Sequence, residues 1–313
     1  MKKVLITGGT GFIGHYLVRE FLPDHKIVCL VRPGSKNLDR LLEFYGKIEL
    51  INHDIKDPLP NIPDVDIILH AGANPSAADS INDPVGAIKD NVLGTVNLLE
   101  FARKSKVSKF VYYSSGEVFG PIPIGHDSRE DDRYNSNSPY AASKAAGEEI
   151  CVAYSNTFGI PVSIIHINNT FGPKCQANRL PVIIINKLLK DEELQIHVGS
   201  KNEIGGRRWF FVGDVADHTR FILDHQQRTC EKWNSAGKDF IDNLEFAKTI
   251  AKLMNKDLKY KLIPVDRPGH DLCFSVDPIK LYNLGWKEKL NFEDRLKETI
   301  DWYMANPEWL NRN

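Results

Sequence analysis

Four side chains near the middle of the chain have the types and spacing to hold an alcohol and move its protons. In "VYYSSGEVFG" (Val111 to Gly120) an apolar run ends in two serines, a glycine and Glu117; in "SPYAASKAAGEE" Tyr140 and Lys144 stand four residues apart. On a helix that spacing puts phenol and ammonium on one face. A phenol near its ordinary pKa of about 10 is a poor base, but a neighbouring ammonium favours the phenolate. That phenolate can take the proton of an alcohol while hydride leaves the same carbon, with Ser115 orienting the oxygen. Glu117 is a candidate base for a carbon-bound proton once a neighbouring ketone has acidified it. A Tyr-x-x-x-Lys pair alone is more often surface packing, so its meaning depends on what positions it.

The positioning elements read clearly. "KKVLI" is a short apolar run followed by "TGGTGFIG" and then by "HYLVREFL", whose apolar residues recur at helical spacing. Gly8, Gly11 and Gly14 thus sit between a strand and a helix, where glycines let a pyrophosphate approach the backbone and the helix N-terminus. A nicotinamide dinucleotide is the expected ligand, and its cationic ring would further favour a phenolate at Tyr140. Further continuous apolar runs are "KIVCLV" (Lys26 to Val31), "IELIN" (Ile48 to Asn52), "VDIILHAG" (Val65 to Gly72), "KFVYYSS" (Lys109 to Ser115) and "PVSIIHI" (Pro161 to Ile167). Helical patterns such as "NVLGTVNLLEFARKS" and "PYAASKAAGEEICVAYSNTF" lie between the later ones. Non-alternating strands separated by helices predict an α/β fold, a doubly wound parallel sheet of Rossmann type covered on both faces. After Ile167 turn residues increase, which predicts a smaller mixed α/β C-terminal lobe facing the substrate. "RRWFFVGDVADHTRFIL" reads as a strand and helix returning to the first lobe, so the expected division is 1–166 and 211–236 for the dinucleotide lobe, with 167–210 and 237–313 for the other.

Composition narrows the function classes. The 313 residues include 40 Lys and Arg against 41 Asp and Glu, a formal charge of −1, so no basic field recruits nucleic acid or acidic lipid. Cys29, Cys151, Cys175, Cys230 and Cys273 are scattered without a C-x-x-C pair, which argues against a zinc or redox motif and for reduced thiols in a cytoplasm. The apolar run of "MKKVLITGG" is too short for a signal peptide or membrane span. At the end of the second strand, where NAD enzymes carry an acid for the ribose hydroxyls, "CLVRPGS" offers Val31 and Arg32. A guanidinium there suits a ribose 2′-phosphate, so NADP is expected, with NAD as the alternative.

"TGGTGFIG", "HDI", "HAGA", "NVLGTVNLLE", "YYSSGEVFG", "SPYAASKAAGEE" and "NNTFGP" together resemble the extended short-chain dehydrogenase/reductases that epimerise, dehydrate or decarboxylate nucleotide sugars. The resemblance covers nearly the whole chain. It implies Ser115, Tyr140 and Lys144 as a catalytic triad, and a cofactor held by Gly8, Gly11, Phe12, Ile13, Gly14, Arg32, Asp54, Ile55, Ala71, Gly72, Ala73, Asn91, Tyr140 and Lys144. It also implies a homodimer packed through the helices starting near Asn91 and Tyr140. The second half is similar to hexose dehydratases: Arg207, beside Arg208, matches their phosphate-binding arginine, and "DRPGHDLCFSVDPIKLYNLGW" is similar to the tail of dTDP-glucose 4,6-dehydratases. Ser115, Gly116, Glu117, Asn169, Arg207, Arg267 and His270 are therefore the expected contacts of a nucleotide diphosphate sugar, with the loop Lys174 to Arg179 facing the base. Glu117 favours 4,6-dehydration over simple 4-epimerisation. The departure is Gly116, where dTDP-glucose 4,6-dehydratases carry the aspartate that protonates the leaving C6 hydroxyl. GDP-mannose 4,6-dehydratases also lack that aspartate and use NADP. A 4-epimerase, a 5,6-dehydratase and an inactive nucleotide-binding scaffold remain alternatives, and a UDP-glucuronate decarboxylase is disfavoured by the tail.

Overall fold

The computed structural model describes residues 1–265 and 272–312. Along the chain, β1 (Lys3–Thr7), α1 (Phe12–Phe21), β2 (Lys26–Val31), β3 (Glu49–Asn52) and β4 (Ile67–His70) come first. Then follow α2 (Ala77–Asn82), α3 (Pro84–Ile88), a π-helical turn over Lys89–Leu93, and α4 (Gly94–Ser105). The next elements are β5 (Lys109–Ser115), α5 (Pro139–Phe158), β6 (Val162–Ile167), β7 (Thr170–Phe171), α6 (Leu180–Leu189) and β8 (Leu194–Val198). The remainder runs through β9 (Gly206–Arg207), β10 (Phe210–Phe211), α7 (Val212–His225), β11 (Cys230–Ser235), β12 (Ile241–Asp242), α8 (Asn243–Leu253), β13 (Tyr260–Pro264), α9 (Ile279–Asn283) and α10 (Phe292–Ala305).

Seven strands form one parallel sheet in the order β11-β6-β5-β4-β1-β2-β3. Their apolar runs are continuous because both faces are covered: β4 and β6 are buried at every residue, and β5 at all but Lys109. The winding reverses between β1 and β4, whose last residues Thr7 and His70 pair in register. Connections leave these two strands toward opposite faces, which opens a crevice at their C-terminal ends. α5, the Tyr-Lys helix, starts where Ser138 accepts a hydrogen bond from Ala141 N and Pro139 occupies the first turn, and it stops at Gly159 in a left-handed conformation. It packs closely on β5 because Gly147 has no side chain; a Cβ there would lie 2.2 Å from Tyr112 Oη.

The second lobe carries three two-stranded pairings, β7 with β10, β9 with β12 and β8 with β13. "RRWFF" therefore joins small sheets of that lobe, and the strand that returns to the main sheet is β11, beside β6. The chain turns between β9 and β10 where Arg208 pairs with Asp127 (2.6 Å). α7 packs against α1 of the first lobe. Among the described residues no helix is long and apolar enough to cross a membrane, and no group of His, Cys, Asp and Glu side chains could hold a metal ion.

Candidate active site

The crevice is a cleft of about 420 Å³ lined by Ser115, Glu117, Tyr140 and Lys144 on one wall and by the glycine loop on the other. Ser115 ends β5 and caps the following 3-10 turn, its Oγ accepting from Glu117 N at 3.2 Å. That turn brings the carboxylate at 117 back to the same wall as the hydroxyl at 115. Tyr140 and Lys144 reach it from α5, whose first turn is pinned where Tyr140 N donates to Ser80 Oγ at 2.9 Å. Burial, assisted by the charge of Glu117, holds the Tyr140 phenol well above its ordinary pKa, while the Ser115 hydrogen bond and the charge of Arg179 act the other way. Burial pushes the Lys144 ammonium down to about 8, with the charge of Glu148 opposing, and its Nζ lies 4.1 Å from the centre of the Tyr112 ring. Tyr140 therefore lies beside Ser115 and Glu117, with the Lys144 ammonium on the same face of α5, the elements of an acid–base centre.

On the opposite wall the loop is shaped for a diphosphate. Gly8 has φ +71°, which L side chains rarely adopt, and a Cβ on it would lie 2.7 Å from Gly72 N. A Cβ on Gly14 would sit 1.9 Å from Gly8 O, so helix and loop can close only with glycine at both places. Phe12, Ile13, Arg32, Asp54, Ile55, Ala71, Gly72 and Ala73 line the same cleft, and Arg32 is exposed. Asn91 stands behind it: Oδ1 accepts from Asn74 N (2.7 Å) and Nδ2 donates to Ser143 Oγ (2.8 Å) on α5. Its role is thus to tie the loop after β4 to the Tyr-Lys helix. A buried chain supports both walls, in which Gly72 N donates to Thr7 Oγ1 (2.9 Å), Thr7 pairs with His70 Nδ1 (2.8 Å) and His70 Nε2 with Thr95 Oγ1 (3.0 Å).

On the sugar side Asn169 lines the cleft, whereas Arg207 and Gly116 do not. Arg207 is buried, donates to Leu272 O at 2.7 Å and stacks its guanidinium 4.1 Å from the Phe274 ring centre. Phe274, Trp209 and Arg179 are among the residues that line the cleft there, and Phe274 carried no distinguishing signal in the sequence. A Cβ on Gly116 would meet Val276 Cγ1 at 3.1 Å and Phe274 Cδ2 at 3.4 Å, so apolar side chains stand over the position where dTDP-glucose 4,6-dehydratases carry an acid. Arg267 and His270 lie outside the described residues. Arg40 was not anticipated: buried beneath the glycine loop, it donates to Thr10 O (3.1 Å) and Lys174 O (3.1 Å) and joins the two lobes.

A model described as the NAD dependent epimerase/dehydratase family matches residues 4–236. The chain belongs to that family. As an epimerase/dehydratase it is 29% identical to a dTDP-glucose 4,6-dehydratase of Haemophilus influenzae, over 98% of this chain and 99% of that protein. It is also 31% identical to a trifunctional UDP-glucose 4,6-dehydratase, 3,5-epimerase and reductase of Arabidopsis thaliana; the match spans 98% of this chain but only 48% of that protein. The dTDP-glucose 4,6-dehydratase DesIV of Streptomyces venezuelae, solved with NAD bound, superposes with a TM-score of 0.87 at 27% identity over 98% of both chains. A Thermus thermophilus UDP-glucose 4-epimerase in complex with NAD superposes with a TM-score of 0.84 at 25% identity, over 97% of this chain and 99% of that one. The doubly wound fold and the family read from the motifs are both found, with a nicotinamide dinucleotide as the ligand class of the neighbours.

Proposed function

We propose that this epimerase/dehydratase is a nucleotide-sugar 4,6-dehydratase. The observation that carries the reading is Glu117, on the same cleft wall as Ser115 and close enough to Tyr140 to raise its phenol. When bound, a nicotinamide dinucleotide supplies the acceptor and then the donor of one hydride. Ser115 orients the sugar C4 oxygen, Tyr140 takes its proton, and the ammonium of Lys144 favours the phenolate that does so. With a ketone at C4, Glu117 removes the C5 proton as the C6 hydroxyl departs. Glu117, Ser115 or water then protonates that hydroxyl, because Gly116 offers no side chain. Asn169 on the cleft wall and the Lys174 to Arg179 loop support recognition of a sugar diphosphate, and exposed Arg32 supports a 2′-phosphate and hence NADP over NAD. Exposed Ile81, Val85, Ile88 and Leu93 lie on helices adjoining α5 and support a homodimer through that side.

A second reading, 4-epimerisation, is favoured by the apolar wall of Val276 and Phe274 over Gly116. Mass spectrometry and NMR of products from dTDP-glucose, UDP-glucose and GDP-mannose in D2O, with NAD or NADP added, separate the two. Dehydration gives loss of one water and one deuterium at C5. Inversion at C4 with the C6 hydroxyl retained in every converted substrate refutes the leading reading and establishes the second.

A further inference from the structure

One helical turn beyond Lys144, on the same face of α5, lies a carboxylate sealed from solvent. Glu148 is fully buried although its neighbour Glu149 is exposed. Its oxygens are occupied: Oε1 accepts from Ser114 Oγ, and Oε2 accepts from Tyr134 Oη and lies 3.0 Å from His166 Nε2 on β6. The other ring nitrogen, His166 Nδ1, is 3.0 Å from Asn234 Oδ1. The Asn234 amide cannot be turned around, because its Nδ2 donates to the carbonyls of Ser128 (3.0 Å) and Asp277 (3.1 Å). Both ring nitrogens therefore face acceptors. His166 thus holds Glu148 on one side and Asn234 on the other. A carboxylate at this depth is tolerable only with such partners, and burial raises the strength of every charge it faces.

One of those contacts, and the helix face itself, lead to the reacting groups. Ser114, held by Oε1, precedes Ser115 in β5, and Lys144 is the group next along the helix face. We propose that Glu148 is a positioning residue of this site: hydrogen-bonded to Ser114 and His166, it anchors the end of β5 that carries Ser115 and places a carboxylate on the Lys144 face of α5 that favours the ammonium. The proposal rests on the reading of Ser115, Tyr140 and Lys144 as the reacting set. Other titratable groups face the pair from every side: Glu149 and Cys151 on α5, Tyr112 on β5, Tyr134 and Glu130 before α5, and Cys230 and Lys232 on β11, with His70 of β4 facing Lys144. Glu148 is distinguished among them by being anionic, fully buried and on the Lys144 face; its neighbours hold its carboxyl below the usual range despite its burial.

Lysine 15N NMR of the full chain, with Lys144 assigned through Lys144→Met, reports on the ammonium without substrate or cofactor. Removing a negative charge disfavours the charged form, so in Glu148→Gln the Lys144 midpoint, about 8 in the unaltered protein, is expected to fall by about one unit. In Glu148→Asp, which keeps the charge, it is expected to remain near the original value. In turnover the alkaline limb of kcat moves to lower pH by the same amount in Glu148→Gln, with KM unchanged. An unmoved midpoint in Glu148→Gln, or an equal fall in Glu148→Asp, overturns the proposal. Should Glu148→Gln not fold, Glu148→Asp decides: a Lys144 midpoint near the original value supports the proposal, and a fall of about one unit overturns it. A midpoint that shifts in a protein converting no nucleotide sugar sustains the Glu148 assignment and refutes the functional reading instead.

Discussion

The two walls of the cleft are built on different terms. The dinucleotide wall is made by consecutive residues, Gly8 to Gly14, with the ends of β1 and β4 beside them, and its shape is set by backbone contacts that a single Cβ would break. The sugar wall gathers β5's end, the Asn168 to Arg179 loop, Trp209 and Phe274 from stretches up to 160 residues apart. Side chains hold it together: Arg208 and Ser275 both bond Asp127 (2.6 and 2.5 Å), and Arg207 stacks on Phe274. A wall of backbone can bind one kind of group across many sequences, whereas a wall of side chains can change its chemistry with one substitution. Each of the following changes tests that contrast.

The largest effect belongs where the walls meet. Tyr140→Phe removes the cleft phenol beside Ser115 and Glu117, and kcat is expected to fall by about two to four orders of magnitude, as for loss of a general base. Circular dichroism should be unchanged, since the ring remains. Turnover within tenfold of the original would remove Tyr140 from the chemistry. Gly14→Ala comes next, and it acts on the backbone wall alone. Its Cβ would lie 1.9 Å from Gly8 O, and the forced opening is expected to cost about 3 kcal/mol, seen as roughly a hundredfold weaker dinucleotide binding in calorimetry.

Acid separates the walls in another way. His15 and His70 support the dinucleotide wall and His218 packs beneath the other lobe on Trp286; burial pushes each down to about 3 from 6.5. Above pH 6.5 all three are neutral folded or unfolded, and no stability depends on them. As pH falls below 6.5 the unfolded chain takes up protons that the fold cannot, so stability declines until about pH 3. By pH 5 the loss is about 2 kcal/mol per histidine. Asp214, raised by burial to about 6, works against this between pH 6 and its ordinary 3.8. Urea melts at pH 7 and pH 5 should show a net fall in midpoint; equal midpoints would mean that these rings are protonated in the fold.

How much of this was readable beforehand follows the same division. β2, β5 and α5 have the bounds read from the sequence, because continuous apolar runs and a Ser-Pro start with a glycine stop are local signals. The glycine loop was readable for the same reason. The π-helical turn at Lys89–Leu93 was not: "NVLGTVNLLEFARKS" keeps a helical period, and the turn shows only once Asn91 is seen tied to Asn74 and Ser143. Arg207 was assigned to a phosphate from its neighbours in sequence, and nothing local announces that it also bonds Leu272 and stacks on Phe274, which only tertiary packing brings there. In "AGEE" the helical period places Glu148 on the Lys144 face and Glu149 off it, but only tertiary packing shows that the first is buried and the second exposed.

The smallest expected effect is the sharpest test of the side-chain wall. Gly116→Asp introduces an acid next to Glu117, and its Cβ would press on Val276 Cγ1 at 3.1 Å and Phe274 Cδ2 at 3.4 Å. Both neighbours are side chains able to shift, so the cost is about 1 kcal/mol rather than the loss of the fold. Val276→Ala alongside it should relieve most of that strain. If the wall decides what happens to the C6 hydroxyl, the double variant raises the ratio of water loss to C4 inversion while dinucleotide affinity stays constant, because no residue of the glycine loop has been touched. An unchanged product ratio with both substitutions in place would show that the proton for the leaving hydroxyl comes from elsewhere in the cleft, and that Gly116 reflects packing against Val276 rather than the chemistry of elimination.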